Sequence, residues 1–294
     1  MKKLFLPFIT IIIAIYGCDK IDNPIPDDII EVDGILWDDS SYVESSPSMR
    51  KILVEEFTGH LCTFCPDGAR EIERLDSIYG GQVIPLSIHA GSFANVPANG
   101  AGFDANGDGT KDFTTNFKTP DGDDYYTTFG VASNPAATVS RLNNANITGL
   151  SQWSIDINSI KNNIPKVSIG LSTLYNDSSR TVKVVVNTQW FNTVSGNFNL
   201  QLYLLEDNIV DWQLDNGVYV QNYNHRHVFR KAINGTWGTP IPSSNAGDSN
   251  LQEFALELPI TFNKNNCIVV AHIYAAGPNY EVLQAEELHV IPSH

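Results

Sequence analysis

Ile52-Leu53-Val54-Glu55-Glu56-Phe57-Thr58-Gly59, followed at once by His60-Leu61-Cys62-Thr63-Phe64-Cys65-Pro66, decides how this chain of 294 residues folds. The first part reads as a short apolar strand ending in a turn. Pro66 to Tyr79 reads as an amphipathic helix, with Ala69, Ile72, Leu75, Ile78 and Tyr79 on one face and Gly80-Gly81 closing it. Gln82 to Ile88 reads as a buried strand and Gly91 to Thr119 as a polar, glycine-rich insertion. A short helix at Tyr125 to Phe129, then Ser133-Asn134-Pro135-Ala136 and the strand Ala137 to Ser140, complete the unit. Strands alternating with helices predict an α/β domain over residues 49–165.

Beyond Lys166 the helical period is lost. Val167–Leu174, Thr181–Thr188, Phe198–Leu205, Glu253–Leu258 and Cys267–Tyr274 are alternating or apolar runs, separated by Asn, Asp, Gly and Ser. Short, regularly spaced runs of this kind predict an all-β antiparallel sandwich over residues 166–294.

At the other end, Lys2 and Lys3 precede an apolar stretch from Leu4 to Tyr16. That stretch is too short for a helix across a bilayer core of about 30 Å, so residues 1–17 read as a signal peptide. Ile15-Tyr16-Gly17-Cys18 resembles a lipobox, which predicts cleavage before Cys18, acylation of that cysteine and attachment to a membrane. Residues 18–48, acidic and interrupted by Pro24 and Pro26, predict a spacer in which Ile35-Leu36-Trp37 forms a small strand. Eighteen Lys and Arg against 33 Asp and Glu give a net charge of −15. A chain this acidic is a poor partner for nucleic acid.

Cys62 and Cys65 fall between a strand and a helix. At a helix start the unpaired N–H groups favour a thiolate, which makes Cys62 the expected nucleophile and Cys65 its resolving partner. Two alternatives stand beside this redox reading. The pair fits a structural disulfide, as expected in an oxidising compartment. It fits a metal site less well, because only His60 lies close in sequence and a zinc site needs four ligands.

The spacing of Glu56, Phe57 and Cys62 behind an apolar strand resembles thioredoxin-like proteins. The resemblance implies that Glu56 is a buried acid exchanging a proton with Cys65, and that Pro135 is the cis-proline beside the dithiol. Leu61 stands where tryptophan is usual. Over nearly all of the mature chain the sequence is similar to the outer membrane protein 28-related lipoproteins of Bacteroidetes-type bacteria. The residues that carry this are Glu55-Glu56-Phe57-Thr58-Gly59 leading to Cys62 and Cys65-Pro66, Tyr203-Leu204-Leu205-Glu206-Asp207, and His225-Arg226-His227-Val228-Phe229-Arg230. That similarity implies a thioredoxin-like half and a β-rich half on a lipid anchor at the outer membrane, on its periplasmic or cell-surface face. It implies no reaction. Two functions remain open: thiol–disulfide exchange with exported proteins, without an organic cofactor, or non-enzymatic binding and envelope assembly with the disulfide as a staple.

Asp104, Asn106, Asp108, Thr110 and Asp112 flank Gly107 and Gly109 at the spacing of a calcium loop, with oxygen donors converging on one turn. Thr115 takes the place of the usual bidentate Glu, so Asp121, Asp123 or Asp124 is expected to complete the shell. A solvated acidic loop is the alternative. His225 and His227, two apart, are expected on one face of a strand, with core hydrogen bonding favoured over metal binding. Cys267 reads as a buried apolar thiol. Asn234-Gly235-Thr236 matches a glycosylation acceptor that a bacterial lipoprotein does not normally use.

Overall fold

Strand β4 (Ile52–Thr58) is buried along its whole length, which in a sheet requires cover on both faces. The computed structural model describes residues 30–32, 35–97 and 104–292. The signal peptide, Cys18 and part of the 91–119 insertion therefore lie outside the described residues.

Around β4 the chain runs through β1 (Ile30–Val32), β2 (Ile35–Trp37), β3 (Asp39–Glu44), α1 (Cys65–Tyr79), β5 (Val83–His89), α2 (Pro120–Thr128), β6 (Ala136–Val139), the single turn α3 (Leu142–Ala145) and α4 (Leu150–Ile160). Strands β7 (Val167–Asn176), β8 (Thr181–Trp190), β9 (Phe198–Glu206), β10 (Ile209–Asp215), β11 (Val218–His225) and β12 (Val228–Ala232) follow. The last four are β13 (Thr239–Ile241), β14 (Ser249–Glu257), β15 (Cys267–Ala275) and β16 (Val282–His289). The protein is mostly β, with two sheets packed as a sandwich and a small α/β region near its N-terminal end.

The larger sheet has eight strands in the order β16-β15-β9-β12-β5-β4-β6, with β13 also on β9. It crosses the boundary expected at residue 166: β12 joins β5 in parallel at Val228 and Ser87, and the Ser87 N–H donates to the His227 carbonyl at 2.9 Å. Where two separate domains were expected, one mixed sheet runs through both halves. The second sheet, β14-β8-β7-β3, takes β3 from the expected spacer, because Asp39 to Glu44 pair with Tyr175 to Gly170.

Period-two alternation explains the layers. In β9, Leu200, Leu202 and Leu204 face the four-stranded sheet and pack with Val184, Val186, Trp190 and Val269. Tyr203 and Leu205 point the other way, into a core under α2 with Leu53, Phe57, Leu86 and Phe229. A third core lies under α1 and α4, where Ile52 and Val54 meet Ile72, Leu75, Trp153 and Ile157. Ile78, expected inward on α1, is exposed, so the buried face of that helix is narrower than its apolar period suggests. Helix α2 begins earlier than expected, at Pro120, because the Thr119 hydroxyl accepts the Gly122 N–H and caps it.

Candidate functional site behind the Cys62–Cys65 disulfide

The turn after β4 is fixed by close packing. A side chain on Gly59 would put its Cβ 2.4 Å from the Phe93 carbonyl carbon, and the Leu61 N–H donates to the Phe93 oxygen at 2.9 Å. This seats Cys62 three residues before α1, and the Cys65 N–H donates to the Cys62 carbonyl at 3.2 Å. The two cysteines form a disulfide with their Cα atoms 5.3 Å apart. Helix α1 starts at Cys65, so Cys62 lies outside its first turn. Both cysteines are buried, while Phe64 between them is exposed.

The cover comes from the C-terminal half. The hairpin β10–β11 lays its tip on the turn: Leu214 N–H donates to the His60 carbonyl and Asn216 N–H to the Thr63 carbonyl, both at 2.8 Å. Gly217 N–H donates to the Thr63 hydroxyl at 2.7 Å, and the Gln213 amide donates to the Cys62 carbonyl at 3.2 Å. Asp215 pairs with Arg70 of α1 at 3.0 Å.

Glu56 and Pro135 meet α1 from behind. An added Cβ at Gly68 would fall 2.2 Å from Glu56 Oε1 and 2.9 Å from Pro135 Cβ, so only glycine permits this approach. The Asn134–Pro135 peptide is cis. Glu56 is 1 % exposed, and its Oε1 has no hydrogen-bond partner among the described residues. Burial pushes its pKa up to about 8, against a small opposing effect of the Ser87 hydroxyl.

Beside Glu56 lies a cavity of about 40 Å³, lined among others by Cys65, Ser87, His89, Gln213, Tyr223 and His225. Three buried histidines gather on this side. His60 Nε2 contacts the Asn95 carbonyl and His225 Nε2 the Trp212 carbonyl, each at 3.2 Å. Among the described residues neither nitrogen of His89 makes a hydrogen bond of normal geometry, though the Ser87 backbone lies beside the ring, which packs against Phe117 with centroids 4.8 Å apart. Burial holds all three below the ordinary histidine pKa, His225 at about 4. Among the described residues no three His, Cys, Asp or Glu are placed to hold a metal ion.

His225 and His227 do not share a strand face. His225 ends β11, whereas His227 has φ of 51° in the turn before β12. That turn ties two of the quoted motifs together, since Asp207 accepts from His227 N–H at 3.0 Å and pairs with Arg226, while Glu206 pairs with Arg230. Cys267 is buried and unpaired, its thiol pushed up to about 12 by burial. Asn234 is spent on the fold, donating to the Leu200 carbonyl and accepting from Leu202 N–H. In the acidic loop, Asp104 accepts from the N–H groups of Gly107, Asp108 and Gly109. Asp108 accepts from Thr110, and Asp112 from Ala105 N–H.

The sequence reading missed His89, Gln213 and the hairpin. A signal for His89 existed: it directly follows the run read as buried strand and lies two residues after Ser87, on the same face of a strand continued by one residue.

The sequence pattern of the outer membrane protein Omp28 family matches residues 122–292, more than half of the chain. The chain belongs to that family. Its match to the Omp28 pattern spans α2 to β16 and starts after the disulfide, so family membership supports a place in the cell envelope and leaves the dithiol to its own geometry. In fold, the chain is similar to HBP35 of Porphyromonas gingivalis, with a TM-score of 0.62 and 16 % identity over 82 % of this chain and 76 % of that one. It is also similar to a protein of Agrobacterium tumefaciens, with a TM-score of 0.50 and 11 % identity over 83 % and 96 % of the two chains. A domain of the outer membrane lipoprotein Omp28 of Porphyromonas gingivalis aligns at 24 % identity over 45 % of this chain and 93 % of that domain, with a TM-score of 0.31. No curated protein matches the chain.

Proposed function

We propose that this Omp28-family protein is a lipid-anchored envelope protein with a thioredoxin-like site, whose Cys62–Cys65 pair exchanges disulfides with exported proteins. The observation that carries the reading is Glu56. A buried carboxyl with an unpartnered oxygen costs stability, and such groups concentrate where chemistry uses them. A staple needs no such group. It also does little here, since closing a loop with a sequence separation of 3 contributes roughly 2 kcal/mol by chain entropy.

In the reduced protein the Cys62 thiolate attacks one sulfur of the partner's disulfide, and the displaced partner thiolate takes a proton from water. Cys65 then gives its proton to the Glu56 carboxylate and attacks Cys62 Sγ, releasing the second partner thiolate. The dithiol loses two electrons and the partner's disulfide gains them; the reverse sequence oxidises a partner. Access to Cys62 requires residues 213–217 of the hairpin to lift from the turn.

Equilibration of the protein with glutathione tests this. A potential between about −180 and −270 mV is expected, and one below about −300 mV would make the disulfide structural. The second reading, a binding or assembly protein, draws on the burial of both cysteines under the hairpin. It predicts that Cys62→Ser, Cys65→Ser removes no exchange activity. Lipid on Cys18 is proposed from the lipobox resemblance. Fatty-acid labelling should mark the wild type and not Cys18→Ala. Calcium is proposed for residues 104–112 on their donor spacing.

A further inference from the structure

We propose that His89 is a positioning residue for the dithiol: it holds cavity water that carries protons between Glu56 and bulk solvent, on the side of the site away from the partner. The proposal rests on the dithiol reading and adds a residue and a route to it. A cavity of about 40 Å³ exceeds the roughly 10–15 Å³ that one water needs, and a buried water requires two to four polar partners. Glu56 and His89 both line this space, and among the described residues Glu56 Oε1 and the two ring nitrogens of His89 make no hydrogen bond of normal geometry, with the Ser87 backbone beside the ring.

A neutral imidazole offers one donor and one acceptor, so it passes a proton along a water chain without holding a charge. Its surroundings keep it neutral. Glu56 on β4 and Cys65 on α1 face the cavity with it, His225 and Tyr223 approach from β11, His60 from the turn, and Arg230 from β12. Burial and the nearby His225, His60 and Arg230 all oppose a positive charge on the ring. The outer rim includes exposed Glu73 of α1 and Asn224 of β11, so the route opens between those elements. A proton given up by Cys65 thus has a way out while the front of the site is covered.

The test uses the oxidised full chain in detergent with ¹³C-labelled glutamate, following the Glu56 carboxyl through its titration. His89→Phe should raise the Glu56 inflection by about one pH unit and slow glutathione exchange about tenfold at alkaline pH. His89→Gln, which keeps a donor and an acceptor, should restore both. In the wild type, the ¹⁵N shifts of the His89 ring should follow the Glu56 inflection. A Glu56 titration unchanged in His89→Phe overturns the proposal. So does a His89→Gln titration displaced as far as that of the Phe variant, or a wild-type ring that stays flat across the inflection. The carboxyl titration reads the coupling whether or not the dithiol exchanges, and the glutathione rate reads the exchange whether or not His89 matters.

Discussion

Glu55 and Glu56 are neighbours on one buried strand and live under opposite rules. Glu55 points to the α2 side, where Arg141 grips it through two hydrogen bonds of 2.8 Å and the Tyr203 hydroxyl donates to Arg141's partner at 3.4 Å. The guanidinium also lies over the rings of Tyr125, Phe129 and Tyr274 at 5.0–5.5 Å. Glu56, one residue on, points to the α1 side and, among the described residues, finds only the Ser87 hydroxyl at 3.5 Å. The alternation of a strand has put one acid in a finished ion pair and the next in an unfinished pocket. The paired acid ties β4 to β9 and so holds the two halves of the sheet together. The unpaired one lines the cavity that Cys65 also borders.

Breaking the finished pair should have the largest effect. Arg141→Met leaves Glu55 buried without its charged partner and with only the long Tyr203 hydrogen bond among the described residues, and truncating one side of such a pair costs about 3–5 kcal/mol. Denaturant unfolding would measure it. Adding Glu55→Leu to the same chain should recover most of the loss, since two apolar groups replace two charges. A double variant as unstable as the single would mean that Arg141 acts through its ring contacts alone.

Removing the unfinished acid should do the reverse. The Glu56 pKa lies at about 8 in the folded chain against 4.5 for the free group, so the unfolded state ionises first as pH rises. Stability is therefore full below about pH 4.5 and falls until about pH 8. Glu56→Gln should match the wild type at pH 4 and exceed it by roughly 2–4 kcal/mol above pH 8. The same variant should lose glutathione exchange. A pH-independent difference in stability would remove the case for a buried, proton-holding Glu56.

The histidines around the cavity carry the opposite sign. His225, at about 4 in the folded chain, stays neutral while the unfolded chain gains a proton below about pH 6.5. Its contribution is present above that value and is lost as pH falls through about 4. His225→Phe should flatten the acid limb of the stability profile by about 1–2 kcal/mol. Melting temperatures at pH 7 and pH 4.5 give the comparison, and equal acid sensitivity in both proteins would place the titrating groups elsewhere.

How much of this was legible depended on where the information sits in the chain. The dithiol between β4 and α1, the alternation of β9 and β15, and the buried Cys267 all show locally, in runs of fewer than a dozen residues. The hairpin cover does not. Leu214 and Asn216 reach His60 and Thr63 through main-chain hydrogen bonds, which any residue types can make, across a separation too long for periodicity to report. The single parallel pair of Val228 with Ser87 merges the two expected domains by the same kind of bond. Strand β3 was hidden because Asp39-Ser40-Ser41 reads as linker, although the edge of a sheet accepts such residues. Arg141, Glu55 and Tyr203 are far apart in sequence, and nothing in their types announces the pair.

The acidic loop offers a third way of housing carboxylates, and the smallest expected effect. Asp104 and Asp108 lie near the surface and are satisfied by N–H groups of their own loop, so unlike Glu56 they carry no standing cost. Asp112 is buried at the loop's end, where it fixes Ala105. Calcium binding would demand that Asp104, Asp108 and Asp112 turn free oxygens toward one point, with Asp121, Asp123 or Asp124 closing the shell. Asp121 already accepts from Ala232 N–H and the Thr236 hydroxyl, and Asp123 from Gly91 N–H, so those two would come only in exchange for existing bonds. The net gain is therefore small: about 1–2 kcal/mol of stabilisation at saturating calcium, read as a rise of a few degrees in melting temperature over chelator. Asp104→Ala, Asp108→Ala should abolish the rise while leaving the glutathione potential unchanged, because the loop shares no residue with the dithiol. A melting point that calcium does not move would leave residues 104–112 as a loop held by its own amides.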